Sequence, residues 1–159
     1  AAGLQSLKRV ITAGAPATIE LQENFRRLLD DKTELFGIYG ATEVLPIAKV
    51  ESREVFALRE KSAKGAGVCL GKPVDGAKVR VIGISETEIQ RFGESASQEV
   101  GPNVVGEITV QGGAVTERYI VREEANRLSK IQHEDGIIHR MGDVGYFDDE
   151  GRLWYCGRK

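Results

Sequence analysis

The sequence predicts an α/β-plus-β fold: a partial strand–helix–strand unit of a parallel sheet, followed by a small distorted β-barrel. Three observations predict it. Apolar residues in the first third change from strand-like to helical spacing and back. Short apolar runs separated by Gly, Asp and Asn fill the remainder. Glycine is unevenly spread, with five in residues 1–65 and fourteen in residues 66–159. The expected division is therefore an α/β subdomain over 1–65 and a β-barrel subdomain over 66–159.

Each element has its own signal. Leu7 to Thr12 carries Val10 and Ile11 and runs into Gly14-Ala15-Pro16, a short strand ending in a turn. Thr18 is placed to cap a helix, and Leu21, Phe25, Leu28 and Leu29 follow at helical spacing. Glu20 near the start and Arg26 and Arg27 near the end suit the helix dipole. Asp30-Asp31-Lys32 ends it, and Thr33–Tyr39 and Val44–Val50 read as strands broken at Gly40-Ala41-Thr42-Glu43. Lys61 to Gly67 is small and polar, as in a flexible linker. Strands are then expected at Val68–Leu70, Lys78–Ile82, Val104–Gln111, Asp143–Phe147 and Arg152–Cys156. Asp148-Asp149-Glu150-Gly151 reads as the hairpin connection between the last two. A helix is expected around Arg122–Lys130, and a long exposed loop over Ser85–Asn103.

Composition excludes several function classes. The 159 residues carry 22 basic and 24 acidic side chains, a formal net charge of −2, so no broad positive field invites nucleic acid. No apolar run approaches the ~18–20 residues of a membrane helix, and the start lacks a signal-peptide pattern. Two cysteines, Cys69 and Cys156, make no disulfide framework and sit at no zinc spacing. A reduced, cytoplasmic setting is expected.

Two stretches carry chemistry. Tyr39-Gly40-Ala41-Thr42-Glu43 delivers a flat ring, a glycine that admits close backbone approach, a hydroxyl and a carboxylate. The hydroxyl can donate to a phosphate oxygen, and the carboxylate can hold Mg²⁺. The same residues describe an ordinary turn with a half-buried tyrosine, and alone they favour it. In His139-Arg140-Met141-Gly142-Asp143 and Gly151 to Arg158, an aspartate can accept from ribose hydroxyls, with an arginine on the paired strand. Taken alone, those residues favour a glycine-flanked hairpin with a solvated ion pair. His139 alone suits a satisfied or exposed imidazole, and Met141 and Trp154 suit the core.

In order, Gly-Ala-Pro, Tyr-Gly-Ala-Thr-Glu, Gly-Lys-Pro, Gly-Glu-Ile, Met-Gly-Asp and Gly-Arg resemble the adenylate-forming superfamily of acyl-CoA synthetases, luciferases and peptide-synthetase adenylation domains. The resemblance covers nearly the whole chain and is nearest to fatty-acyl ligase-like and β-lactone-forming members. It implies that Gly14, Ala15 and Pro16 lie along an adenine and that Tyr39 stacks on it, with Gly40 and Ala41 beside it. It implies that Thr42 binds the adenylate phosphate, that Glu43 is the Mg²⁺ ligand, and that Thr42 and Glu43 together serve catalysis. Asp143 and Arg158 would take the ribose, and Tyr155 would pack against the nucleotide. Gly71-Lys72-Pro73 and Gly106-Glu107-Ile108 would be structural. The implied ligands are ATP or AMP with Mg²⁺, a carboxylic acid, and coenzyme A or a carrier-protein thiol.

Two departures stand out. Gly37 occupies a position where many relatives carry a side-chain amide, which shifts adenine readout toward backbone. The family's Ser/Thr/Gly-rich phosphate loop and its C-terminal domain with a lysine have no counterpart in the sequence. The chain is therefore expected to be the second half of the family's large N-terminal domain. Alone it is expected not to adenylate an acid, and apolar strand surface at Leu7–Val10 and Leu35–Ile38 is expected to drive self-association. The competing expectations are a nucleotide-binding module without chemistry and a purely structural β-domain.

Overall fold

The computed structural model describes residues 4, 6–93 and 98–159. Its strands form one path, in the order β1 (Arg9–Thr12), β2 (Glu34–Ala41), β3 (Val44–Glu51), β4 (Val68–Pro73), β9 (Leu153–Arg158), β8 (Gly136–Phe147), β6 (Gly106–Gln111), β5 (Lys78–Ile82). The remaining strand, β7 (Lys130–His133), pairs with β8. Only β1 and β2 are parallel, with Val10 opposite Leu35. They are joined by α1 (Ile19–Arg26), which completes the expected strand–helix–strand unit. The path is open, with β1 and β5 at its ends. Among the described residues no strand pairing closes the second part into the expected barrel.

Local chemistry explains the first unit. The Leu21 N–H donates to Thr18 Oγ1 (3.2 Å), the expected N-cap. At the other end Arg26 donates to the Asp31 carbonyl (2.9 Å), satisfying backbone beyond the helix. The expected apolar face is covered unevenly: Leu29, just past α1, is 9% exposed, whereas Leu21 is 59% and Leu28 41% exposed. The buried α1 side chain is Gln22, whose amide donates to the Ala17 carbonyl (2.9 Å). An amphipathic helix buries its stripe only where a second layer meets it, and here Ile19 packs against the cluster of Val50 and Val55 while Leu21 stays exposed.

The joint of the sheet is β4. Its first half pairs with β9, Val68 opposite Tyr155, and its second half with β3, Pro73 opposite Ala48. Gly71 sits at the change of partner with φ +75°, and a Cβ there would stand 2.0 Å from the Lys49 carbonyl oxygen. The Gly-Lys-Pro motif thus marks a place where two backbones approach too closely for a side chain. The main core draws on β3 (Val44, Ile47, Ala48), β4 (Leu70), β5 (Val81), β6 (Ile108, Val110), β8 (Met141) and β9 (Leu153). Trp154 is buried with Val50, Val55 and Cys69 in a second cluster.

Three segments differ from expectation. The linker region is helical: α2 (Ser52–Ala57), α3 (Arg59–Lys61) and a wide π turn over Ser62–Ala66, pinned by Tyr146 Oη donating to the Ala66 carbonyl (3.0 Å). The Ser85–Asn103 stretch has no named strand, yet Ile89 is 1% exposed in a third core cluster. Backbone bonds from Phe92 to Gln132 (2.9 Å) and from Gln132 to Gln90 (3.0 Å) tie it to β7. Residues 94–97 of that stretch lie outside the described residues. The expected late helix is α4 (Glu123–Ser129), and β8 begins seven residues before the expected Asp143. No helix among the described residues is long and apolar enough to cross a membrane.

Candidate functional site

Strand pairing builds the first half of the site. Asp143 on β8 stands directly opposite Arg158 on β9. Arg158 Nη1 donates to Asp143 Oδ1 (2.6 Å), and Tyr39 Oη donates to Asp143 Oδ2 (2.6 Å). Residues 104 and 15 positions from Asp143 therefore meet on one buried carboxylate, 5% exposed. Burial, reinforced by the bond to Asp143, pushes the Tyr39 hydroxyl far above its ordinary value. The Asp143 carboxylate likewise raises the Arg158 guanidinium.

These three side chains line a cavity of about 420 Å³. Gly14, Ala15 and Pro16, in the bend between β1 and α1, line it too, as do Gly37, Gly40 and Tyr155. Its volume is in the range of a small-molecule site, with a few converging polar groups on a mostly apolar wall. Gly40 has a role the sequence did not suggest. A Cβ there would meet Leu45 Cδ1 at 2.6 Å and the Val44 carbonyl at 2.8 Å, so the glycine permits the β2–β3 hairpin to close beside its bulge.

Three residues lie apart. Ala41 packs against the main core, and Thr42 and Glu43 form the two-residue turn between β2 and β3. None of the three lines the cavity. Glu43 instead faces a polar cluster. Tyr119 Oη donates to Glu43 Oε1 (2.6 Å), and that bond, with the nearby Lys130 charge, holds the carboxyl below its usual range despite partial burial. Lys130 Nζ donates to the Thr116 carbonyl (2.5 Å) and Oγ1 (3.1 Å), and burial lowers it. His139 is buried with Nδ1 3.2 Å from the Ser129 carbonyl, and burial pushes it down to about 4. Sequence reasoning missed Tyr119, Thr116 and Lys130, because no spacing links them to a turn some 75 residues earlier.

The second omission lies behind Asp143. Arg140, on the same strand, donates to Glu107 through Nε (3.1 Å) and Nη2 (2.7 Å). Both side chains are nearly sealed from solvent, 2% and 1% exposed. The guanidinium also donates to the carbonyls of Thr87 (2.8 Å), Leu128 (2.9 Å) and Ser85. Lys159 Nζ reaches Glu107 at 3.3 Å and Ser85 O at 2.7 Å. The network ties β6, β8, α4 and the irregular 85–87 segment into the frame that carries Asp143.

Comparison with known proteins adds three findings. The model of the AMP-binding enzyme family matches residues 1–120. An olefin beta-lactone synthetase of Stenotrophomonas maltophilia is 42% identical over 161 residues, covering 98% of this chain and 29% of that protein. The o-succinylbenzoate coenzyme A synthetase of Bacillus subtilis, solved with its acyl-adenylate intermediate, superposes at a TM-score of 0.69 with 27% identity, over 100% of this chain and 28% of that one. The same enzyme solved with ATP and magnesium gives 0.67 at 27% identity, over 99% and 28%. The chain thus spans less than a third of the length of these relatives.

Proposed function

The chain belongs to the AMP-binding enzyme family, and on that premise we propose that it forms the adenine, ribose and Mg²⁺ side of an ATP-dependent, AMP-forming acid ligase. One observation carries the reading. Tyr39, Asp143 and Arg158, from three separate strands, meet on the wall of a cavity that Gly14–Pro16 also line. In this reading Gly14, Ala15 and Pro16 lie along the adenine, the Tyr39 ring stacks on it, and Tyr155 packs beside it. Asp143 accepts from the ribose hydroxyls, and Arg158 neutralises it and reaches the sugar. Residues 1–65 then hold the adenine and metal loops, and residues 66–159 the ribose side.

Thr42 and Glu43 take the phosphates. The Thr42 hydroxyl, exposed on the hairpin turn, donates to a phosphate oxygen. Glu43 fits a Mg²⁺ ligand: it is held as a carboxylate, and Tyr119 engages only one of its oxygens. A bound Mg²⁺ would neutralise charge on the phosphates. In the reaction, an acid carboxylate oxygen attacks the α-phosphorus, the bond to the leaving pyrophosphate breaks, and an acyl-adenylate forms. A nucleophile then attacks the acyl carbon and AMP departs. The groups that stabilise the leaving pyrophosphate belong, in this reading, to the part of the relatives that the chain does not span.

The acid is proposed to be fatty acyl, on the apolar Val44-Leu45-Pro46 run next to the phosphate turn. A coenzyme A or carrier-protein thiol is the proposed acceptor. The 42% identity with a beta-lactone synthetase favours a second reading, in which the acid's own hydroxyl displaces AMP. Two unpaired cysteines accord with a reducing cytoplasm as its setting.

Calorimetric titration of the chain with AMP tests the nucleotide assignment. Asp143→Ala removes an acceptor of charge-assisted bonds and should weaken AMP by about 10- to 100-fold. Absence of AMP binding, or equal affinity in a folded Asp143→Ala variant, refutes it.

A further inference from the structure

We propose that Tyr119 is the positioning residue for the Glu43 carboxylate, so that the segment between β6 and α4 sets the Mg²⁺ affinity of the nucleotide site. The proposal rests on the reading of Glu43 as the metal ligand. It begins from a weakness in that reading. Glu43 sits in a two-residue hairpin turn beside an exposed threonine, and a glutamate there has three free side-chain torsions. A metal ligand needs a fixed oxygen, and the side-chain hydrogen bond to the Glu43 carboxylate comes from outside the hairpin.

The contacts come from elsewhere and form a closed circuit. The Thr116 N–H donates to the Glu43 carbonyl (2.8 Å), which fixes the backbone of the turn. Tyr119 Oη donates to Glu43 Oε1 (2.6 Å), which fixes the carboxylate. Lys130 joins the two supports: its ammonium donates to both Thr116 oxygens and lies 5.5 Å from the centre of the Tyr119 ring. Asn126 on α4 then clamps the Tyr119 backbone from both sides. The Tyr119 N–H donates to Asn126 Oδ1 (2.6 Å), and Asn126 Nδ2 donates to the Tyr119 carbonyl (2.9 Å).

The geometry selects a role in metal binding over one in packing alone. Tyr119 is half-buried and belongs to no hydrophobic cluster, so its hydroxyl contributes a bond to an anion rather than core volume. Tyr119 takes Oε1 alone, and a phenol donor on one carboxylate oxygen orients the second oxygen without neutralising the charge. A lysine or arginine there would compete with a cation. Lys130 instead spends its donors on Thr116.

The test separates metal binding from folding and from nucleotide binding. The chain is titrated with AMP without metal, and with an α,β-methylene ATP analogue across a Mg²⁺ series, for the parent, Tyr119→Phe and Asn126→Ala. Tyr119→Phe keeps the ring and should raise the Mg²⁺ concentration needed for half-maximal binding of the analogue about tenfold. AMP affinity should stay within twofold. Asn126→Ala should shift Mg²⁺ dependence in the same direction with Tyr119 intact. An unchanged Mg²⁺ series in Tyr119→Phe, or equal losses for AMP and for the Mg²⁺-dependent ligand, overturns the proposal and leaves the nucleotide assignment standing. A parent that binds AMP but shows no Mg²⁺ dependence overturns the role of Glu43 and this proposal together. A parent that binds no nucleotide overturns the proposed function itself.

Discussion

Glu107→Ala should be among the most damaging substitutions in this chain, although Glu107 lies outside the cavity. Its carboxylate takes two bonds from Arg140 and one ion pair from Lys159, and it is 1% exposed. Without it Arg140 keeps the carbonyls of Thr87, Leu128 and Ser85 but loses its one counter-charge among the described residues, inside a nearly sealed site. Breaking such a pair from one side costs about 3–5 kcal/mol, because the surviving charge stays buried and unpaired. Domain stability is about 5–15 kcal/mol in total, so the loss removes a large share of it. Urea unfolding followed by tryptophan fluorescence measures it, since Trp154 is buried among Val50, Val55 and Cys69. Replacing both partners, Glu107→Leu with Arg140→Met, removes the stranded charge and should cost less than the two single changes summed. A Glu107→Ala variant within about 1 kcal/mol of the parent would refute the reasoning. So would a double variant as costly as the sum.

Two further outcomes follow from burial and backbone crowding. His139 is held neutral by burial at about 4, below its ordinary 6.5, so the unfolded chain takes up its proton first as pH falls. Stability from this group is complete above about pH 6.5, declines toward pH 4 and is gone below it, a window worth about 3 kcal/mol at roughly 1.4 kcal/mol per pH unit. His139→Gln should flatten that part of the stability–pH curve, and a variant with the parent's slope contradicts the assignment. Gly71→Ala should cost about 2–5 kcal/mol in urea unfolding, combining a left-handed φ with a Cβ 2.0 Å from the Lys49 carbonyl oxygen. Gly151→Ala, at φ +72° with open space around it, should cost about 1 kcal/mol. Equal losses at the two positions would show that crowding at the β4 joint is not what requires glycine.

Local signals were legible, and pairings between distant segments were not. The Thr18 cap, the Asp148–Gly151 hairpin and the α4 helix each depend on residues within a few positions of one another. Asp148 illustrates why: it accepts from the Glu150 and Arg152 backbones, the Arg152 side chain and the Trp154 indole, all within six residues. β7 escaped because Lys130-Ile131-Gln132-His133 has too little alternation to read as a strand, and its pairing with β8 makes it one. The face of α1 was misread for a related reason. Helical spacing states which side chains share a face, and only the neighbouring layer decides whether that face is buried.

The glycines show the same division more sharply. Gly14 and Gly40 line the cavity. Yet at Gly67, Gly71, Gly106, Gly112 and Gly145 a Cβ would fall within 2.3 Å of a carbonyl oxygen on another part of the chain. Glycine there is a requirement of close backbone approach between segments, which no single-strand pattern records. The irregularity in β2 lies between Tyr39 and Ala41, and that in β8–β9 between Val144 and Gly145. β2 and β9 bring Tyr39 and Arg158 to the Asp143 carboxylate on β8. Asp143 then has both oxygens engaged, one by Arg158 and one by Tyr39, so it is held in place before any ligand arrives. In the proposed function a ribose shares those oxygens with the tyrosine whose ring receives the base, so that adenine stacking and ribose recognition would be coupled through a single hydrogen bond of 2.6 Å.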